Sequence, residues 1–207
     1  MRRVLLYGDS NTFGTGPTPR LGADVVHATG VRWGDVLAEG LGTEWQVVIE
    51  GLPGRTTVHD DPIEGAYRNG LTVLPAILQS HRPIELLVIC LGTNDLKQRF
   101  GLGAQDVALG VARLAREALA SGYVGKVLVV APPPLKERGD FAEMFRGAEE
   151  RGAGLAMHAE RFAAEEGAHF FDAGTVMSVD ETDGIHWSAE AHRSLGLALV
   201  DVVKGLA

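Results

Sequence analysis

Five short apolar runs rich in β-branched residues punctuate the chain, at residues 4–7, 46–49, 85–91, 126–131 and 169–172. Each is apolar almost throughout instead of alternating with polar residues, the pattern of a strand covered on both faces. Longer stretches of helical period lie between them. Val107, Val111, Leu114 and Ala118 share one helix face, as do Leu195, Leu199, Val202 and Val203, with Ser188 placed to cap the latter helix. Strands alternating with helices predict an α/β chain whose parallel sheet lies between helical layers. No linker, repeat or low-complexity tract divides the 207 residues, so one domain over 1–207 is expected, large enough to bury its own core.

Composition narrows the partners. Against 19 Lys and Arg stand 27 Asp and Glu, a net charge of −8, and no polybasic run exists to track phosphates, so no nucleic-acid partner is expected. With 45% hydrophobic and 22% charged residues the chain is of ordinary globular composition. Its one cysteine, Cys90, excludes an intrachain disulfide and a thiolate zinc site. The apolar residues behind Met1-Arg2-Arg3 run only from Val4 to Tyr7, short of the ~7–15 of a signal sequence, and none approaches a membrane span of ~18. A soluble, cytoplasmic protein with no membrane partner is expected.

In open parallel sheets ligands bind beyond the carboxyl ends of the strands, and the segments there are rich in chemistry. The first run leads into Gly8-Asp9-Ser10-Asn11-Thr12, the second into Gly51-Leu52-Pro53-Gly54-Arg55-Thr56-Thr57, and the third into Gly92-Thr93-Asn94-Asp95. Asp183-Gly184-Ile185-His186-Trp187 precedes the last helix. Acyl transfer needs a nucleophile, a base, a group that orients the base, and donors for an oxyanion. Ser10 offers the hydroxyl and His186 the base. Asp183, three residues earlier, can hold Nδ1–H so that Nε2 faces Ser10. The Ser10 and Gly54 N–H groups and the Asn94 amide can converge on one oxygen.

Each piece has a plainer reading. A Gly-Asp-Ser triplet arises by chance in roughly one chain in twenty of this length. Ser10 serves equally as a helix cap, Asp183-Gly184 as a turn and Asn94-Asp95 as a cap, and a lone His186 is more often structural. Four such segments in order at strand ends make the signal. The nucleophile lacks the Gly-x-Ser-x-Gly elbow of α/β-hydrolases, and neither a P-loop nor a dinucleotide glycine motif is present. The histidines and acids show no metal-ligand spacing, although Asp180, Glu181 and Asp183 are close enough in sequence to meet a stray cation. No metal and no cofactor are expected.

At these residues the chain resembles the SGNH hydrolases, the GDSL esterase/lipase family, whose blocks contribute Ser, Gly, Asn and His. Gly8-Asp9-Ser10 matches the first block, Gly54 the second, Gly92-Thr93-Asn94-Asp95 the third and Asp183-Gly184-Ile185-His186 the last. Asn11 departs from the usual Gly-Asp-Ser-Leu, which touches substrate preference more than mechanism. The segments 51–57, 91–97, 126–134 and 170–174 look like the bacterial arylesterase/acyltransferase branch. That resemblance implies a flavodoxin-like three-layer α/β/α sandwich on a five-stranded parallel sheet. It also implies cleavage of small acyl esters, acyl transfer to alcohols or peroxide, and a homo-oligomer whose neighbouring loops narrow the active-site mouth.

The expected activity is a two-step serine esterase with Ser10, Asp183 and His186 as catalytic residues and Ser10, Gly54 and Asn94 as the oxyanion hole. A histidine base gives activity that rises from acid toward neutral pH. Phe13, Leu52, Pro53, Lys97, Phe100 and Trp187 are candidates for contacting the small-molecule ester, with core packing as the alternative. Asp9 and Asp95 read as structural and Arg55 as a loop anchor. Leu135, Phe141, Met144 and Phe145, in the irregular stretch 132–147, suit a pocket wall, a subunit contact or the roof of the core. The runner-up activity is a carbohydrate O-acetylesterase, and a non-catalytic binding protein is a remote third.

Overall fold

All five apolar runs become strands of one sheet. The computed structural model describes residues 1–206, with elements β1 (Arg2–Gly8), α1 (Ser10–Phe13), α2 (Trp33–Leu41), β2 (Trp45–Gly51), α3 (Gly70–His81) and β3 (Ile84–Cys90). There follow α4 (Ala104–Ala120), β4 (Val124–Ala131), α5 (Ala148–Arg151), α6 (Leu155–Glu165), β5 (His169–Asp172) and α7 (Ala189–Leu206). The strand order is β2-β1-β3-β4-β5, and every neighbouring pair is parallel. Most strands begin a residue or two before the apolar run, because ladder pairing such as Arg2 with Trp45 does not require an apolar side chain.

The continuous apolarity of the strands has the expected cause. Leu5, Tyr7, Leu87, Ile89, Val127 and Val129 face one way and pack with Leu74, Leu78, Val107, Leu114 and Phe162 of α3, α4 and α6. Their neighbours Val4, Leu6, Leu86, Val88, Leu128 and Val130 face the other way, onto Trp33 and Leu37 of α2 and Leu195 and Leu199 of α7. Side chains alternate sides along a strand, so a sheet covered on both faces needs apolar residues at every position. The result is the three-layer α/β/α sandwich. Ser188 caps α7 through its Oγ, which accepts from the Ala191 N–H at 3.2 Å.

This topology also selects the place for a site. From β1 the chain moves outward to β2 and then returns across the sheet to β3, so the connections leaving β1 and β3 diverge. Such a switch point leaves a crevice at the carboxyl ends of the strands. Ser10 follows β1 and Asn94 follows β3.

Candidate active site

At the end of β1 the chain turns immediately into α1. Asp9 caps that short helix, its Oδ1 accepting from the Asn11 N–H at 3.0 Å, and Ser10 is the first helical residue. Asn11, where the resemblance leads one to look for Leu, donates from Nδ2 to the Ile185 carbonyl at 3.2 Å. It thereby ties the serine turn to the loop that carries His186.

That second loop is organised by Asp183. Its Oδ1 accepts from the Ile185 and His186 backbone N–H groups at 2.9 and 2.8 Å, and its Oδ2 meets His186 Nδ1 at 2.7 Å and the Thr18 N–H at 3.0 Å. Gly184 sits at φ +73°, with a Cβ there directed into the Lys136 carbonyl, a conformation that glycine adopts without penalty. Burial alone would raise the Asp183 carboxyl, but the hydrogen bond and charge of His186 and the two backbone donors outweigh it and hold the group below the usual carboxylate range. An ionised Asp183 accepts the Nδ1 proton and leaves Nε2 as the free nitrogen of His186. The Phe141 ring stands edge-on to the imidazole, centroids 5.6 Å apart at 82°.

The other two loops carry the candidate oxyanion donors. Gly54 adopts φ +78°, and a Cβ on it would collide with the Arg68 guanidinium and come within 2.8 Å of Glu64 Oε2. Arg55 anchors this loop beneath the site, Nη1 donating to the Gly8 carbonyl at 2.8 Å and the guanidinium lying 4.1 Å over the Tyr7 ring. Asn94 follows β3, its Nδ2 a long 3.4 Å from Asp9 Oδ2. Asp95 points away into the core, where it accepts from the Thr57 N–H at 3.0 Å and from Thr57 Oγ1 at 2.5 Å. It thus binds the β3 loop to the β2 loop. Burial pushes Asp9 up to about 6 and Asp95 up to about 7, only partly opposed by their hydrogen bonds.

Ser10, Gly54, Asn94 and His186 all open onto one cavity of about 410 Å³, within the range of small-molecule sites. Leu21, Phe141, Met144, Phe145 and Ile185 form its apolar wall, and Glu64, Arg68 and Lys97 its charged wall. Lys97 Nζ bonds Glu64 Oε1 at 2.6 Å, and burial lowers its pKa against that hydrogen bond. Of the six candidate substrate contacts, Pro53 and Lys97 line the cavity. Phe13, at the end of α1, is partly exposed outside it, Leu52 is not among its lining residues, and Phe100 lies against His59.

Trp187 is the clearest correction. It is 1% exposed and packs in the core with α2 and α7, the core packing that stood as the alternative reading. The aromatic wall comes instead from the stretch 132–147. Phe141, Met144 and Phe145 line the cavity, while Leu135 and the buried edge of Phe145 join the core. Thr15, Leu21, Glu64 and Arg68 also line it without any local pattern marking them. The acids at 180–183 diverge: Asp180 Oδ1 takes the Thr182 N–H, Glu181 pairs with Lys136, and Asp183 turns inward. Among the described residues no three His, Cys, Asp or Glu side chains gather as a metal site, and no helix is long and apolar enough to cross a membrane.

Comparison with known proteins bears on this arrangement. The model of the GDSL-like lipase/acylhydrolase family matches residues 6–194. The native aryl esterase of M. smegmatis is 41% identical, with full coverage of both chains and a TM-score of 0.95. A carbohydrate acetylesterase from Sinorhizobium meliloti is 40% identical, again over the whole of both chains, with a TM-score of 0.95. No curated protein matches the sequence. A family match that runs from β1 into α7, together with two full-length structural likenesses, establishes that this chain belongs to the GDSL-like lipase/acylhydrolase family.

Proposed function

We propose that the protein hydrolyses short-chain esters of aryl or alkyl alcohols through an acyl-enzyme on Ser10. The reaction class, carboxylic ester hydrolysis, follows from family membership and from full-length likeness to an aryl esterase and a carbohydrate acetylesterase. One observation carries the assignment of residues: His186, held from behind by the buried Asp183 at 2.7 Å, opens onto the cavity that Ser10, Gly54 and Asn94 also line.

Ser10 Oγ attacks the ester carbonyl as His186 Nε2 takes its proton, and Asp183 stabilises the imidazolium that forms. The Ser10 and Gly54 N–H groups and Asn94 Nδ2 receive the oxyanion. His186 then protonates the leaving alcohol. Water enters, loses a proton to the same nitrogen and attacks the acyl carbonyl, releasing the acid and restoring Ser10. An alcohol or peroxide in the place of water turns hydrolysis into acyl transfer. The cavity's modest volume and its wall of Phe141, Met144 and Phe145 favour short acyl chains.

The decisive test is p-nitrophenol release from acetate, butyrate and octanoate esters by the parent and by Ser10→Ala. Turnover should fall with chain length, and the variant should lose on the order of 10⁶ in kcat. Equal rates in the two proteins would remove Ser10 from the mechanism. A second reading, deacetylation of O-acetyl sugars, is favoured by the charged wall of Glu64, Arg68 and Lys97 and by the carbohydrate acetylesterase likeness. Acetylated xylose turned over faster than p-nitrophenyl acetate would establish it.

A homo-oligomer belongs to this reading. Ile63, Tyr67 and Leu21 are 77%, 58% and 51% exposed, in segments that also reach the cavity mouth, where a neighbouring subunit would cover them and narrow the entrance. Light scattering should give a mass several times that of the chain; a monomer would refute it. A cytoplasmic location is supported by the lone, buried, free thiol of Cys90, and cell fractionation checks it.

A further inference from the structure

The charged wall of the cavity holds one cation that the protein pairs only loosely. Asp61, Glu64, Lys97 and Arg99 interlock: Lys97 Nζ bonds Glu64 Oε1 at 2.6 Å and approaches Asp61 Oδ2 at 3.7 Å, while Arg99 reaches Asp61 at 3.0 Å and Glu64 at 3.1 Å. These two carboxylates already answer two cations. Arg68 is the third cation, and its position differs. Its Nε donates to the Glu64 carbonyl at 3.3 Å and stands 3.8 Å from Glu64 Oε2, and its guanidinium lies 5.5 Å from the centre of the Tyr67 ring. Among the described residues its Nη atoms donate to no protein group. The side chain is 19% exposed and lies on the cavity wall across Gly54, the proposed oxyanion donor.

From this geometry we infer that Arg68 forms an anion subsite, so that the esters this protein prefers carry a carboxylate in addition to the scissile bond. The inference rests on the Ser10 esterase reading and names its substrate class. A guanidinium presents paired N–H donors that match a carboxylate, and partial enclosure protects such a pair from the screening that weakens surface pairs. Lys97 cannot play this part, because its ammonium is held by Glu64 and Asp61. With the surplus charge beside the oxyanion site, an anionic group on either the acyl or the alcohol part falls within reach, and the experiment separates the two.

The test pairs each anionic ester with a neutral one of similar shape: 4-acetoxybenzoate with its methyl ester for the alcohol side, and the p-nitrophenyl monoester of glutaric acid with p-nitrophenyl valerate for the acyl side. In at least one pair the parent should favour the anion in kcat/KM. Arg68→Gln should cut that anionic-to-neutral ratio on the order of tenfold, with Arg68→Lys in between. Should Arg68→Gln fail to fold, added salt should lower the same ratio in the parent. A preference for neutral esters in both pairs, or a ratio indifferent to both Arg68→Gln and salt, overturns the subsite. Calorimetry on Ser10→Ala, with and without Arg68→Gln, keeps the two readings apart, comparing 4-hydroxybenzoate with its methyl ester for the alcohol side and monomethyl glutarate with methyl valerate for the acyl side. Arg68-dependent binding of the anion without turnover by the parent would sink the esterase assignment and retain the subsite. Turnover without such binding on either side would do the reverse.

Discussion

Asp183 and Asp95 are both fully buried carboxylates one residue or one turn away from a proposed catalytic group, yet they have opposite electrostatic characters. Asp183 receives three backbone N–H groups and the imidazole of His186, and it is held below the usual carboxylate range. Asp95 receives only the N–H and hydroxyl of Thr57 and is pushed up to about 7. Burial penalises both charges equally in kind. The number of donors and a cationic partner decide which carboxylate stays ionised. The first is thereby fitted to steady an imidazolium, whereas the second ties the β3 loop to the β2 loop.

Replacing each carboxylate by its amide tests that division most severely. Asp183→Asn should lower kcat by about 10⁴, since an amide favours the wrong tautomer of His186, with the fold retained by circular dichroism. Asp95→Asn should leave most of the turnover rate. An equal kcat loss in both would erase the distinction. Next in size, Asn94→Ala should cost ~10²–10³ in kcat through loss of an oxyanion donor, with little change in denaturation midpoint. Neighbouring residues in one turn would then read out separately, Asn94 in rate and Asp95 in stability.

A smaller effect is expected at Thr57. Thr57→Val leaves the Asp95 carboxyl short of a donor and should reduce unfolding free energy by about 1–3 kcal/mol in urea titrations. Loss of rate without loss of stability would mean that Asp95 serves the chemistry after all.

Stability against pH gives the finest comparison. The folded value of Asp95 lies above its unfolded value of ~3.9, so the native state binds the extra proton. Its contribution is fully present below about pH 4 and is lost as pH rises toward about 7, with a slope of at most ~1.4 kcal/mol per pH unit. Asp9 acts in the same direction up to about 6. Asp183 has the reverse sign: its contribution is present above ~3.9 and is lost as pH falls through its lower folded value. Denaturant titrations between about pH 4.5 and 7.5 should show a decline with rising pH that Asp95→Asn flattens. An unchanged slope in that variant would reassign the decline to other groups.

Much of this molecule is legible before folding. Continuous apolarity in five short runs implies a sheet covered on both faces, because side chains alternate sides and both sides must be dry. The four loops matter because parallel strands deliver their carboxyl ends to one edge, so Ser10, Gly54, Asn94 and His186 can be grouped from their places behind the first, second, third and fifth runs. Local chemistry is legible for the same reason: Asp183 reaches His186 within a single turn.

The cavity wall is another matter. Trp187, a candidate contact with core packing as its alternative, lies in the core, while Phe141, from a stretch open to several readings, stands against the imidazole. The surplus charge of Arg68 emerges only when Lys97 and Arg99, distant in sequence, take up Asp61 and Glu64. Period, turn chemistry and strand-end position are properties of neighbouring residues, so the layers and the candidate catalytic loops can be read along the chain. Burial, charge pairing and the direction of a side chain depend on which distant segments meet, and they exist only once the chain has folded.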